Sequence, residues 1–269
     1  MTRQLDVAAY RRRRRGRALV LLSTLLLGAA CSSPTSVDNG GGGGGTPSYN
    51  HALAPGASAH DLLSADIYDR LVVQIQYVNG FPPSTAGLQG IEDFLNARLY
   101  KPGGITLMTP QAIQITQQPT YSAADVRSLE RAHRTVYTSG TTLATYLLFL
   151  DGEFTGSPNV LGFAYNNTSM AIFQKKIMDN TGGLTQPAQA TVETTVANHE
   201  FGHILGLVNI GSAMQVEHQD EPNGAHCDNP DCLMYWAVRT TDFLSNLTGG
   251  AVPQLDQDCL DDLRANGGK

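Results

Sequence analysis

The chain of 269 residues is short of several things. It has one tryptophan, four cysteines and only 16% charged residues. Its apolar run at residues 18–27 is too short to cross a bilayer, which excludes an N-terminal membrane-spanning helix there. It shows no internal repeat of the kind that builds solenoids or propellers. Basic residues are scarce once the N-terminus is set aside. Seven of the 18 Lys and Arg and one of the 24 Asp and Glu lie in residues 1–30, leaving 11 basic against 23 acidic residues, a net of −12. That balance excludes nucleic acid as a partner and docking on an anionic surface by charge.

The first 30 residues carry six arginines between Arg11 and Arg17, the apolar run, and then Gly28-Ala29-Ala30-Cys31. A basic segment, a short apolar segment and small residues predict a secretory signal over residues 1–30. The cysteine after the small residues resembles a bacterial lipobox, with Gly28 where the pattern prefers Leu. That resemblance implies lipid on Cys31 and a protein of the cell envelope, exported and membrane-anchored. Residues 31–56, with six glycines at 40–45, predict a flexible tether. The folded domain is then expected over residues 57–269, enough for one substantial core.

Periodicity predicts the elements. Arg70–Val78 alternates and is rich in β-branched residues, so it reads as a strand; residues 105–115, 145–150, 161–165 and 170–173 read as further strands. Helical spacing marks 84–99, 122–137 (Ser122 capping three residues before Asp125), 191–205 and Gln257–Ala265. The order predicts an α/β (α+β) fold, a mixed sheet packed on helices, with an irregular C-terminal part.

The helix over 191–205 contains His199-Glu200-Phe201-Gly202-His203. Residues four apart project from one helix face, so the two imidazoles form a pair of tetrahedral Zn2+ ligands. Glu200 lies beside them, placed to act as general base on a metal-activated water. Val192 and Val196 share the ligand face, and Gly206 ends the helix.

A third protein ligand is needed. The run His-Glu-Phe-Gly-His-Ile-Leu-Gly resembles the metzincin clan of zinc metallopeptidases, in which a His or Asp stands three residues after the glycine; here that residue is Asn209, a poor zinc ligand. Further on, His226-Cys227, Cys232 and Met234 are similar to the archaemetzincin pattern, as is Cys259-Leu260 with Leu263 near the C-terminus. That resemblance implies a metzincin-like fold, His226 as third ligand after an insertion of about 17 residues (208–224), and Met234 as the methionine of the turn beneath the metal. His218 is the competing ligand, and Glu217 and Glu221 are weaker rivals because Gly211, Pro222 and Gly224 oppose the second helix that a glutamate ligand would need. Archaemetzincins hold a structural zinc with four cysteines, whereas this domain has three. Cys227 and Cys232, five apart, are therefore expected to pair as a disulfide after export, with Cys259 left over.

The expected function is a zinc metallopeptidase with one catalytic Zn2+ on His199, His203 and His226, Glu200 as general base, acting as a monomer on extended peptides or proteins that add to an edge strand near residues 160–173. A degenerate, surface-anchored peptide-binding lipoprotein is the alternative, motivated by Asn209. His51, His60 and His133 are expected to be structural or solvated.

Overall fold

The computed structural model describes residues 48–269, so the signal segment, Cys31 and the glycine run lie outside the described residues. The elements in order are α1 Ala59–Leu63, β1 Arg70–Val78, α2 Thr85–Arg98, β2 Gly104–Leu107, β3 Gln111–Ile113, β4 Thr120–Tyr121, α3 Ala123–His133, β5 Thr142–Phe149, β6 Glu153–Phe154, β7 Gly162–Asn166, β8 Ser169–Ile172, α4 Gln174–Asp179, α5 Gln189–Ile204 and α6 Gln257–Ala265. Between α5 and α6 the described chain is irregular apart from short 3-10 turns. Among the described residues no helix is long and apolar enough to cross a membrane.

The main sheet is mixed and mostly parallel, in the order β2-β1-β5-β8-β7, with β3 also paired to β1. The β1–β5 and β5–β8 pairs are parallel, and β7 closes one edge antiparallel to β8. The expected strand at 105–115 is two pieces, β2 and β3, both parallel to β1. Pro110 sits between them and has no N–H to give to the ladder.

Alternation along β1 and β5 sends Leu71, Val73, Ile75, Leu143, Leu147 and Phe149 into one core with α2 and α5. Tyr146 and Leu148 face the other side, towards Val126 of α3. Gln74 and Gln76 also face that side, and each is satisfied: the Gln74 side chain accepts from the Thr135 and Val136 amides, and Gln76 Oε1 accepts from the Tyr146 hydroxyl at 2.7 Å. Ser122 and Asp125 form a reciprocal capping box on α3, and Ser84 caps α2.

The expected tether enters the described residues only at 48–56, and there it packs on the domain. Asn167 Nδ2 donates to the Asn50 carbonyl and its N–H to the Leu53 carbonyl. His51 Nε2 accepts from the Thr138 amide at 3.2 Å, and its Nδ1 lies 2.9 Å from Thr168 Oγ1 and 3.0 Å from the Arg134 guanidinium, which can only donate. Burial, and then the Arg134 guanidinium beside it, push the His51 imidazole down to about 4. The unfolded chain therefore takes up a proton between about pH 6.5 and 4 that the folded chain refuses, so this histidine's contribution is whole above 6.5 and is lost as the pH falls. Melting temperature is expected to drop less steeply with acidification in His51→Gln than in the wild type. Parallel slopes for the two proteins would remove His51 as the cause.

Candidate metal centre

Helix α5 is buried throughout its last four turns, from Val192 to Ile204, apart from a slight exposure of His203. His199 and His203 lie one turn apart with ring centroids 4.9 Å from each other. The His226 ring stands 5.3 Å from the first and 5.0 Å from the second. One ring nitrogen from each lies within 4.8 Å of the other two. The structure thus brings the three histidines together.

Backbone carbonyls orient two of these rings. His199 Nδ1 is 2.7 Å from the Leu233 carbonyl, and His226 Nδ1 is 2.7 Å from the Asn223 carbonyl. A carbonyl only accepts, so Nδ1 carries the proton in both and the Nε2 lone pairs point inward. Those two Nε2 atoms are buried and have no hydrogen-bond partner in the protein, an expensive arrangement unless they bind something. Burial, followed by the neighbouring imidazoles, holds His199 and His203 well below the usual histidine range; burial lowers His226 to about 4. Neutral imidazole is the form that binds a metal. The donor set therefore fits Zn2+ with an open fourth position.

Glu200 is fully buried next to this cluster. Its Oε2 accepts the Ala164 N–H of the edge strand β7 at 2.8 Å, and its Oε1 has no partner in the protein. Burial raises this carboxyl to about 7, against the opposing effects of Arg239 and the Ala164 N–H.

Two glycines make the geometry possible. A Cβ on Gly202 would meet Met234 Sδ at 2.2 Å, so the methionine packs directly against the helix between the two ligand histidines. Gly206, at φ +79°, ends the helix in the left-handed region. Asn209, also left-handed at φ 65°, is exposed to solvent, whereas the three histidines are buried. Glu217 and Glu221 are exposed as well.

His218 does not join the three histidines. It is buried in a second cluster, with Nε2 2.9 Å from Asp262 Oδ2 of α6 and Nδ1 3.5 Å from Cys227 Sγ and 3.9 Å from Cys259 Sγ. Cys232 Sγ lies 3.7 Å from Cys259 Sγ. The expected Cys227–Cys232 disulfide is absent: all three domain cysteines are free and buried. Hydrogen bonds from Cys227 N–H to the Met234 carbonyl and from Cys232 N–H to the Asn229 carbonyl fold the intervening loop so that both thiols turn towards α6. Cys232 Sγ also accepts the Met234 and Asp256 N–H groups, each at 3.4 Å. Its thiol is pushed down, first by Cys227 and Cys259 and then by those N–H groups. Asp256 borders this cluster: Oδ2 accepts from Cys227 Sγ at 3.2 Å and from Asn229 Nδ2, Oδ1 caps α6 at the Cys259 N–H, and one ligand atom each of His218, Cys227, Asp256 and Cys259 lies within 4.8 Å of the others.

The Ala164 N–H, the two orienting carbonyls, Arg239 and Asp262 are not legible in the sequence, because none lies in a spaced pattern. The thiol cluster is hidden by the 26 residues between Cys232 and Cys259.

No family model matches this chain, and no curated protein matches it. Among solved structures it is similar to an archaemetzincin from Methanopyrus kandleri, at 14% identity and a TM-score of 0.49 over 74% of this chain and 95% of that one. It is also similar to a metalloproteinase-II from Bacteroides fragilis, at 14% identity and a TM-score of 0.41 over 76% of this chain and 54% of that one. Both likenesses are too loose to carry the chemistry, which rests on the residues themselves.

Proposed function

We propose that this chain is a zinc metallopeptidase that cleaves extended peptides, with His199, His203 and His226 holding the metal and Glu200 as general base. The observation that carries this reading is the pair of inward, partnerless Nε2 atoms beside a buried carboxylate whose second oxygen is also partnerless. A Zn2+ held there supplies Lewis acidity and makes water acidic enough to lose a proton near neutral pH. Glu200, with Oε2 fixed by the Ala164 N–H and Oε1 open, would take a proton from the attacking water and pass it to the departing amine. Burial of the carboxylate suits this base, since it keeps competing water away. Strand β7 ends the sheet, so its outer edge can take an extended peptide by backbone pairing. The alternative of a pure peptide binder leaves the burial of an unpaired Glu200 unexplained.

Glu200→Gln tests it on the purified, zinc-loaded protein. Metal content and circular dichroism are expected to stay as in the wild type, while peptide hydrolysis falls by about 10²–10⁴-fold. Wild type that holds zinc and cleaves no peptide in a diverse pool would establish the binder.

The same reading extends to the second cluster. With Zn–S near 2.3 Å and Zn–N near 2.0–2.1 Å, the edges of a tetrahedral site are about 3.8 Å between sulfurs and about 3.6 Å between sulfur and nitrogen. The Cys232–Cys259, His218–Cys227 and His218–Cys259 separations of 3.7, 3.5 and 3.9 Å match those edges. His218 Nδ1, Cys227 and Cys259 would then hold a structural zinc, with the thiolate of Cys232 as fourth ligand in preference to Asp256, the fourth group within 4.8 Å of those three, and with Asp262 fixing the far side of the imidazole.

Export and a lipid on Cys31 belong to the same proposal. Cys31→Ala is expected to move the protein out of the membrane fraction or leave its signal uncleaved; a processed variant that stays in the membrane fraction would refute the anchor.

A further inference from the structure

Arg239 ends the 3-10 turn Trp236–Arg239, five residues after Met234. Its carbonyl accepts the Leu161 N–H at 2.8 Å, and the Thr241 N–H donates to the Asn159 carbonyl at 3.0 Å. Val160 and Thr240 form an antiparallel bridge between these hydrogen bonds. The turn is thus stitched to the segment that leads into β7, and it also packs on α5. Arg239 stands at the seam between the helix that carries His199, Glu200 and His203 and the free edge where a peptide would lie.

Its side chain is half-buried. Among the described residues it makes no ion pair and no side-chain hydrogen bond. The other partly buried arginines of α3 and its C-cap are occupied: Arg134 pairs with Glu130, and Arg127 donates to Asn166 Oδ1 and the Tyr165 carbonyl. The turn that carries Arg239 packs on α5, the helix of His199, Glu200 and His203, and its positive charge acts to lower the pKa of the Glu200 carboxyl and of all three imidazoles.

A divalent metal on three neutral imidazoles would bring two positive charges and Arg239 a third, opposed by Glu200 and, on the His226 side, by Asp220. Holding a guanidinium next to such a centre costs free energy unless an anion joins it. Glu200 gives one oxygen to the Ala164 N–H and keeps the other for its role as base, and no carboxylate of the described residues forms an ion pair with Arg239. A carboxylate on the substrate would supply such an anion. A guanidinium presents a planar fork that matches a carboxylate.

We propose that Arg239 is a specificity residue that binds a carboxylate of the peptide close to the scissile bond. This rests on the peptidase reading. The carboxylate has two sources, an Asp or Glu side chain beside the cleaved bond or the free C-terminus of a short peptide.

The test compares matched peptides on the zinc-loaded protein: an acidic residue within one position of the cleaved bond against its amide isostere, and a free against an amidated C-terminus. Wild type is expected to favour the carboxylate member of one pair by on the order of tenfold to a hundredfold in kcat/KM. In Arg239→Gln that ratio should collapse towards one, with most of the change in KM, and Arg239→Glu should invert it. The pair that responds identifies the source.

Binding to the inactive Glu200→Gln protein separates this proposal from the peptidase reading. Trp236, the only tryptophan in the sequence, lies three residues from Arg239 and reports binding by fluorescence. A carboxylate preference in binding that Arg239→Gln abolishes supports the proposal even if wild type hydrolyses nothing. Equal losses for acidic and neutral peptides, carried in kcat, would make Arg239 a general stabiliser of the reaction and overturn the proposal. So would a wild type that does not discriminate within either pair.

Discussion

His226→Ala is expected to empty the catalytic site and abolish hydrolysis, with the fold retained. His199 and His203 alone leave zinc with two protein ligands, and the carbonyl of Asn223 then orients nothing. Loss of an outer-shell partner costs roughly 10–100-fold in affinity, and loss of a ligand costs more. Zinc should fall by one equivalent, and peptide hydrolysis should fall to background. Cobalt substitution keeps this site distinct from the thiol cluster: a centre of three imidazoles has no thiolate charge-transfer band, so that band should survive in His226→Ala. Asn209→Ala should change neither metal content nor activity, because the residue is exposed while the three histidines are buried. A folded His226→Ala protein that keeps full zinc and activity would overturn the ligand set.

That ligand set also marks how far the sequence could be read. The first two histidines and Glu200 are legible because helical spacing alone puts residues four apart on one face. The strand Arg70–Val78 and the helix Gln257–Ala265 are legible to the residue, since one packs into the core along its length and the other starts at a capping Asp256. The break between β2 and β3 could be suspected from Pro110, but not the fact that both pieces return to β1. The short α4 and the two-stranded β4–β6 sheet carry too few residues to show a period.

The inserted loop is where sequence reasoning stops. It assigns His218 a chemistry, but the partner of that chemistry is decided by which way residues 208–226 fold. The loop docks on α6 through Asp262, which accepts both the Gln215 N–H and the His218 ring. From the sequence, His218 therefore competes with His226 for one metal; in the structure the two histidines serve different clusters. Cys259 likewise looked surplus because only the return of α6 brings it to Cys232.

The second large effect is expected at that junction. Cys227, Cys232, Cys259 and His218 tie the residues flanking His226 and Met234 to the C-terminal helix. Structural zinc contributes on the order of 10 kcal/mol or more to the folding of small zinc domains at neutral pH, so a metal here should dominate the stability of the irregular part between α5 and α6. Cys259→Ser is expected to lower zinc from two equivalents to one, erase the thiolate band of the cobalt protein, and lower the melting temperature sharply. His218→Ala should lose the same band and metal, whereas His218→Cys, which restores a fourth thiolate, should recover both. In neither variant is the catalytic histidine set touched directly, so residual activity should track the folded fraction. Thiol titration of the native, metal-loaded protein should find all three domain cysteines protected, and a chelator without any reductant should expose them. If a reductant were needed instead, a disulfide would hold this junction. If zinc stayed at one equivalent in wild type and in Cys259→Ser alike, the thiols and His218 would be no more than a buried hydrogen-bonded cluster.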